Sequence, residues 1–144
     1  MKKKPLFALI LLFFFIFVWN TYDTLTYSFE ESSFPGAPGE RYSTVTSPKK
    51  TFTAFAYTYS GGGAAGFVNV SVEIKNKTTE ETHTIYYGDE ILGFKMSWLN
   101  EETIEISDSY RKVILNVKED IFDYMGSACR SLKMKSQYRN CYHD

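Results

Sequence analysis

The sequence predicts a mainly β domain, a small antiparallel sheet or sandwich, carried on an N-terminal transmembrane helix and followed by a C-terminal helix. Three observations carry this. Lys2, Lys3 and Lys4 precede residues 6–19, which contain only Leu, Phe, Ala, Ile, Val and Trp. Between Thr51 and Val117, six segments place apolar residues with period two, the pattern of strands with a buried face. After Asp120 the apolar residues move to helical spacing.

The N-terminal run comes first. A helix rises ~1.5 Å per residue, so residues 6–19 cover about 21 Å and residues 5–22 about 27 Å, against a hydrocarbon core of ~30 Å. Trp19 and Tyr22 then stand at the exit, where aromatic rings favour the headgroup zone. The three lysines favour the cytoplasmic side, which puts the rest of the chain outside. A signal-peptide core fits the same length, but no small-x-small site follows closely; Thr26, Tyr27 and Ser28 are the best candidates. No cysteine precedes Cys129, so a lipid-modified cysteine is not expected. Residues 1–22 therefore read as an uncleaved signal anchor, with a cleaved signal as the alternative and a buried helix as the third reading.

Residues 23–47 read as a linker. They hold Glu30, Glu31, Ser32 and Ser33, then Pro35, Gly36, Pro38 and Gly39, with no apolar periodicity. The alternative is that Tyr27, Phe29 and Phe34 pack on the domain, so the stretch is not read as wholly disordered. Residues 48–144 form the exported β-rich domain, long enough for one small core. Setting aside the three N-terminal lysines leaves 13 basic residues against 17 acidic, a net charge of −4. Nucleic-acid binding needs a basic footprint, so no nucleic-acid partner is expected.

The strands follow in order. In residues 51–59 Phe55, Tyr57 and Tyr59 alternate with Phe52, Ala54 and Ala56, so both faces are apolar and the strand is central. Residues 67–75 alternate Val68, Val70, Val72 and Ile74 with Asn69, Ser71, Glu73 and Lys75. A polar turn leads to residues 82–87. Phe94, Met96 and Trp98 share the face of a fourth strand, Ile104 and Ile106 that of a fifth, and Val113, Leu115 and Val117 that of a sixth. Short polar connections imply an antiparallel meander or small sandwich. Across residues 120–135, Ile121, Phe122, Met125, Cys129 and Leu132 fit one amphipathic helix, although Gly126 costs it about 1 kcal/mol of propensity. Arg130, Lys133, Lys135 and Arg139 make this end basic, either as a solvated face or as a contact for anionic lipid or wall polymer.

Candidate chemistry is sparse. The Gly-rich stretch 61–66 lies between two strands and lacks a Gly-Lys-Ser/Thr ending, so a hairpin turn is favoured over a phosphate cradle. His83 has no nucleophile signature beside it, and the paired carboxylates fall in turns. No metal or cofactor is called for. Cys129 and Cys141 suit a structural disulfide in an oxidising exterior, with free thiols the next reading and a reactive pair the last.

Ser47-Pro48, a strand ending at Tyr59, Gly62-Gly63-Ala64, a Val-x-Val-x-Ile strand, and Trp98-Leu99-Asn100 running to Thr103-Ile104-Glu105-Ile106 together resemble a family of small uncharacterised bacterial proteins. Its members carry an N-terminal membrane helix or lipoprotein signal ahead of a β domain. The resemblance spans residues 47–107. This chain has Lys49-Lys50 where that family usually has Asp-Gly, and both cysteines lie outside the match. The family is a domain of unknown function, so the resemblance implies an exported bacterial β domain and no particular activity.

The expectation is a single-pass protein of the cell membrane, N-terminus cytoplasmic and C-terminal domain extracytoplasmic. It is read as a non-enzymatic module that binds an envelope protein or a cell-wall component. Tyr57, Tyr59, Gly62, Gly63 and Trp98 form the candidate binding surface. The alternatives are an immunity-like or inhibitor protein of the cell surface, a secreted domain after signal cleavage, and an enzyme using the Gly-rich loop with His83.

Overall fold

The computed structural model describes residues 4–29, 39–61 and 66–144. Helix α1 spans Lys4–Thr26, and its side chains from residue 8 to residue 25 are all exposed. Its Ala8–Thr26 portion is long and apolar enough to cross a membrane or to serve as a signal sequence. The polar residues at its end return their donors to the helix. Asn20 Nδ2 donates to the Ile16 carbonyl at 2.9 Å, and the Thr21, Thr24 and Thr26 hydroxyls donate to the carbonyls of Phe17, Asn20 and Tyr22 at 2.8–2.9 Å. In a lipid setting such internal bonding offsets the cost of a polar side chain.

The larger sheet is built on a long hairpin. Strands β2 (Phe52–Gly61) and β3 (Phe67–Asn76) pair antiparallel from Phe52↔Asn76 to Gly61↔Phe67, so the Gly-rich stretch is the hairpin connection. Strand β1 (Glu40–Thr46) pairs antiparallel on one side of β2, and β4 (Thr82–Gly88) on the far side of β3. Ala54, Ala56, Val70, Val72, Ile74 and Tyr86 then line one fully buried face.

A second sheet of β5 (Lys95–Trp98), β6 (Thr103–Ser107) and β7 (Lys112–Asn116) is an antiparallel meander. Phe94, Met96, Ile104, Ile106, Leu115 and Val117 point inward from it, as their period-two spacing requires. They join the buried face of the first sheet in a single hydrophobic core. The fold is thus mainly β, with two open sheets.

Two expectations are corrected. The large sheet is mixed, because β8 (Asp120–Asp123) pairs parallel to β4, and β9 (Asn140–Tyr142) parallel to β8. The chain leaves β4, builds the second sheet, and returns in the same direction. The second correction concerns residues 120–135, which are not one helix. Asp120 and Asp123 accept bonds from Asn116 N at 2.8 Å and Ala128 N at 2.7 Å, holding β8 extended. Gly126 turns the chain at φ 68°. Only the short helices α2 (Ser127–Arg130) and α3 (Leu132–Gln137) follow, so Met125 and Leu132 end up exposed.

The stretch expected to be linker, 23–47, contains the end of α1, the buried Ser28 and Phe29, and all of β1. Phe34, Pro35, Gly36 and Pro38 lie outside the described residues. β1 escaped notice because, as an edge strand, it is mostly exposed and needs no apolar alternation.

The turn from β1 into β2 is held from across the molecule. The Glu101 carboxylate accepts from Ser47 Oγ at 2.7 Å, Lys49 N at 2.6 Å and Thr51 N at 3.0 Å. Desolvation works against its ionisation, but these hydrogen bonds outweigh it and hold the carboxyl at about 2, below the ordinary 4.5. Because the folded value is depressed, this support is present above pH 4.5 and fades as pH falls toward 2. The Thr51 amide resonance should therefore titrate with a midpoint near pH 2, and Glu101→Gln should abolish that step.

Lys50, in the turn between β1 and β2, adopts φ 65°. A β-carbon is disfavoured there, so Lys50→Gly should stabilise the fold by about 0.5–1 kcal/mol, read from the urea midpoint of the full chain in micelles.

Candidate functional site

The first functional element is the junction between α1 and the domain. Helix α1 touches α2 and α3, and Ser131 makes the tie. Its buried hydroxyl donates to the Tyr27 carbonyl at 2.6 Å, with the Leu25 carbonyl a longer second acceptor at 3.2 Å. The same oxygen accepts from Met134 N at 3.3 Å, capping α3. One serine therefore satisfies carbonyls freed at the end of α1 and an amide freed at the start of α3. Tyr27 and Phe29 pack edge to face just beyond, so the domain is seated at the helix exit rather than held away on a tether.

The C-terminus is pinned as well. Cys129 and Cys141 are bonded, with S–S 1.96 Å and Cα–Cα 5.3 Å. The bridge holds β9 at the edge of the large sheet, beside β8.

Just past the C-terminal end of β4 lies a charge network centred on the largely buried Arg111 and the buried Asp108. Arg111 reaches Asp89 at 2.6 Å, Asp144 at 3.0 Å and Asp108 at 3.3 Å, and its guanidinium lies 5.6 Å over the Phe122 ring. The Asp108 side chain has no exposed surface. The Tyr86 hydroxyl donates to Asp108 at 3.4 Å, and burial together with that carboxylate pushes the Tyr86 phenol far up. Burial works against the Arg111 charge, but the bond to Asp89 and the neighbouring carboxylates outweigh it and raise its pKa.

Asp89 forms one wall of a cleft of about 700 Å³, with Glu90, Ile91, Val68, Asn69 and Tyr124 around it. Tyr87 and Tyr124 stand together here, ring centroids 5.2 Å apart, and Asn69 Nδ2 donates to the Tyr87 hydroxyl at 2.8 Å. Burial first, then the Tyr124 phenol for Tyr87 and the Asp89 and Asp123 carboxylates for Tyr124, raise both tyrosines, so they remain protonated at neutral pH. The cleft thus offers carboxylates, a phenol, an amide and an aliphatic wall. That set suits a ligand bearing positive charge or hydroxyl groups.

A second cleft, of about 620 Å³, contains His83 with Phe52, Glu81, Lys118 and Tyr138. His83 Nε2 lies 2.9 Å from the Val117 carbonyl, and its ring packs on Tyr138. His83 pairs with Ile74, seven residues along β3 from Phe67, so about 23 Å of strand separates it from the Gly-rich hairpin. Residues 62–65 of that stretch lie outside the described residues. Among the described residues, no group of three or more His, Cys, Asp and Glu side chains is placed to hold a metal ion.

The residues named from sequence do not form one surface. Tyr57 and Tyr59 are half-buried on the outer face of β2. The Arg41 guanidinium lies 4.7 Å over Phe55 and 5.8 Å over Tyr57, and Gly39 packs against the Tyr59 ring. Trp98 belongs to the other side, stacked on Phe52 with its indole N–H donating to the Val45 carbonyl at 3.3 Å. Gly62 and Gly63 lie outside the described residues. The cleft at Asn69, Asp89 and Tyr124 was missed, because its walls come from strands and loops far apart in sequence. Tyr86-Tyr87 followed by Asp89-Glu90 was the available signal.

The model of a family described as a family of unknown function (DUF5412) matches residues 2–127. The match takes in the whole of residues 47–107 and the N-terminal helix, and stops short of both cysteines. No curated protein and no solved structure matches the chain.

Proposed function

From the premise that the chain belongs to the DUF5412 family of unknown function, we propose that it is a membrane-anchored, extracytoplasmic interaction module, bacterial and non-enzymatic. The observation that carries this reading is the bare helix on a packed domain: α1 is exposed from residue 8 to residue 25 and, among the described residues, its bonds to the domain come at its end, at Leu25 and just beyond at Tyr27. A soluble protein would bury so apolar a helix. Lys2, Lys3 and Lys4 support a cytoplasmic N-terminus, and the bonded cysteines support an oxidising compartment for the rest.

The module's ligand is an envelope protein or wall component, presenting cationic or hydroxylic groups to the cleft at Asp89, Glu90 and Tyr124. A photo-crosslinking amino acid at Tyr124 in cells expressing the tagged full chain tests this. A discrete adduct, absent when the crosslinker is moved to Thr78 in the β3–β4 turn, supports the reading. Identical or no adducts at the two positions sink it. Protease added to spheroplasts checks the orientation: clipping of the C-terminal tag from a membrane-bound species is the expected result. A shorter soluble species would mean a cleaved signal and a secreted domain.

A further inference from the structure

The end of α1 sets the depth of the residues tied to it. The uninterrupted apolar run stops at Trp19, and Asp23 and Leu25 follow about 6 and 9 Å further along the helix axis. The polar layer of one leaflet is ~5–8 Å thick, which puts Asp23 among the headgroups and Leu25 at their outer margin. Ser131 bonds the Leu25 carbonyl, and Arg130 lines a hollow with Asp23, Thr24 and Tyr27. These contacts alone bring the start of α3 to the membrane surface.

The charge there runs opposite to the rest of the exported chain. Residues 124–143 contain Arg130, Lys133, Lys135 and Arg139 but no Asp or Glu, within a portion whose net charge is −4. Arg130 and Lys135 are exposed. Lys133 is partly covered and reaches Ser28 Oγ at 3.4 Å, while Arg139 turns to Glu119 at 3.8 Å. Leu132, between the cations, is 59% exposed although it sits at the first position of α3 beside a packed core. Among the described residues, Asp23 is the acidic group lining the hollow.

We propose that α2 and α3 form a lipid-contacting face: Arg130 and Lys135 hold the phosphates of anionic phospholipid in the leaflet from which α1 emerges, and Leu132 settles among the headgroups between them. This rests on reading α1 as an uncleaved anchor. It means that the domain has a preferred orientation on the bilayer, and that lipid charge sets how firmly it is held. Exposed cations and an apolar residue beside a membrane exit are the elements of such a surface.

The test uses the full chain in lipid discs of phosphatidylcholine, alone or mixed with phosphatidylglycerol, doped with a headgroup spin-labelled lipid. Paramagnetic broadening of the amides of residues 130–135 is compared with that of Tyr110 and Ile114, which are exposed on the second sheet. Broadening at 130–135 should be strong in anionic discs and weaken in neutral ones. Each cation removed should reduce the contact about fivefold, so Arg130→Gln/Lys135→Gln should reduce it well beyond that. Equal broadening in the two lipids, or an unaffected variant, overturns the lipid contact while leaving the anchor intact. Failure of the chain to float with the discs would instead overturn the anchor, and the lipid contact with it.

Discussion

Asp108→Ala is expected to lower the unfolding free energy by about 3–5 kcal/mol, the cost of leaving a buried charge without its partner. Asp108 has no exposed side-chain surface and faces Arg111, itself only 14% exposed. Its other oxygen accepts from Tyr110 N at 2.8 Å and Arg111 N at 2.9 Å, fixing the reversal between β6 and β7. Removing it strips charge compensation and turn geometry together, and leaves the Tyr86 hydroxyl without its acceptor. Asp89 and Asp144 still reach Arg111, but both are about half exposed and more screened by solvent. The measurement is the urea midpoint of the full chain in micelles. Pairing Asp108→Ala with Arg111→Met should recover part of the loss, because no cation then remains buried. A single variant within about 1 kcal/mol of the parent would show that Arg111 draws its compensation elsewhere.

Opening the disulfide should have the next largest effect. Cys129 and Cys141 are separated by 12 positions, and closing a loop of that size is worth about 3 kcal/mol in the chain-entropy model. The Cys129→Ser/Cys141→Ser variant should lose roughly that much. The loss should also be local. β9 has only three residues and pairs with β8 alone, so its amides should lose protection from hydrogen exchange first. Amides of the ten-residue strands β2 and β3 should keep theirs under the same conditions. Asp144 would be released together with β9, which would remove one of the partners of Arg111. Uniform loss of protection across both sheets would mean that the C-terminal edge is part of the cooperative core, not an appendage to it.

The parts of the fold legible from the sequence are those built on local periodicity. Val68, Val70, Val72 and Ile74 announced β3, and Phe94, Met96 and Trp98 announced the inward face of β5. Both signals depend only on the alternation of a strand with one buried face. β1 and β8 lacked such a signal for opposite reasons. β1 is an edge strand with little to bury. In β8, Ile121 and Phe122 are consecutive, and all four of its residues are buried. A strand covered on both sides shows no alternation, and its two apolar residues then fell into a false helical register with Met125 and Cys129.

The candidate cleft was illegible for a related reason. Asn69 and Tyr87 meet across 18 residues, and Tyr124 reaches Tyr87 only because β8 pairs parallel to β4. Trp98 and Tyr57, read together as surface aromatics, were separated by the choice of sheet face.

By itself the sequence determined the apolar helix, the β class, the six strands β2 to β7 and the charge asymmetry of the C-terminal end. All of these follow from composition and short-range spacing, which no distant contact can alter. The tertiary structure alone decided that β8 joins β4, that Asp108 is buried against Arg111, and that Ser131 closes the end of α1 across 106 residues. Those pairings are set by the need to bury apolar faces while pairing the polar groups buried with them, a condition of the whole domain that no window of residues contains.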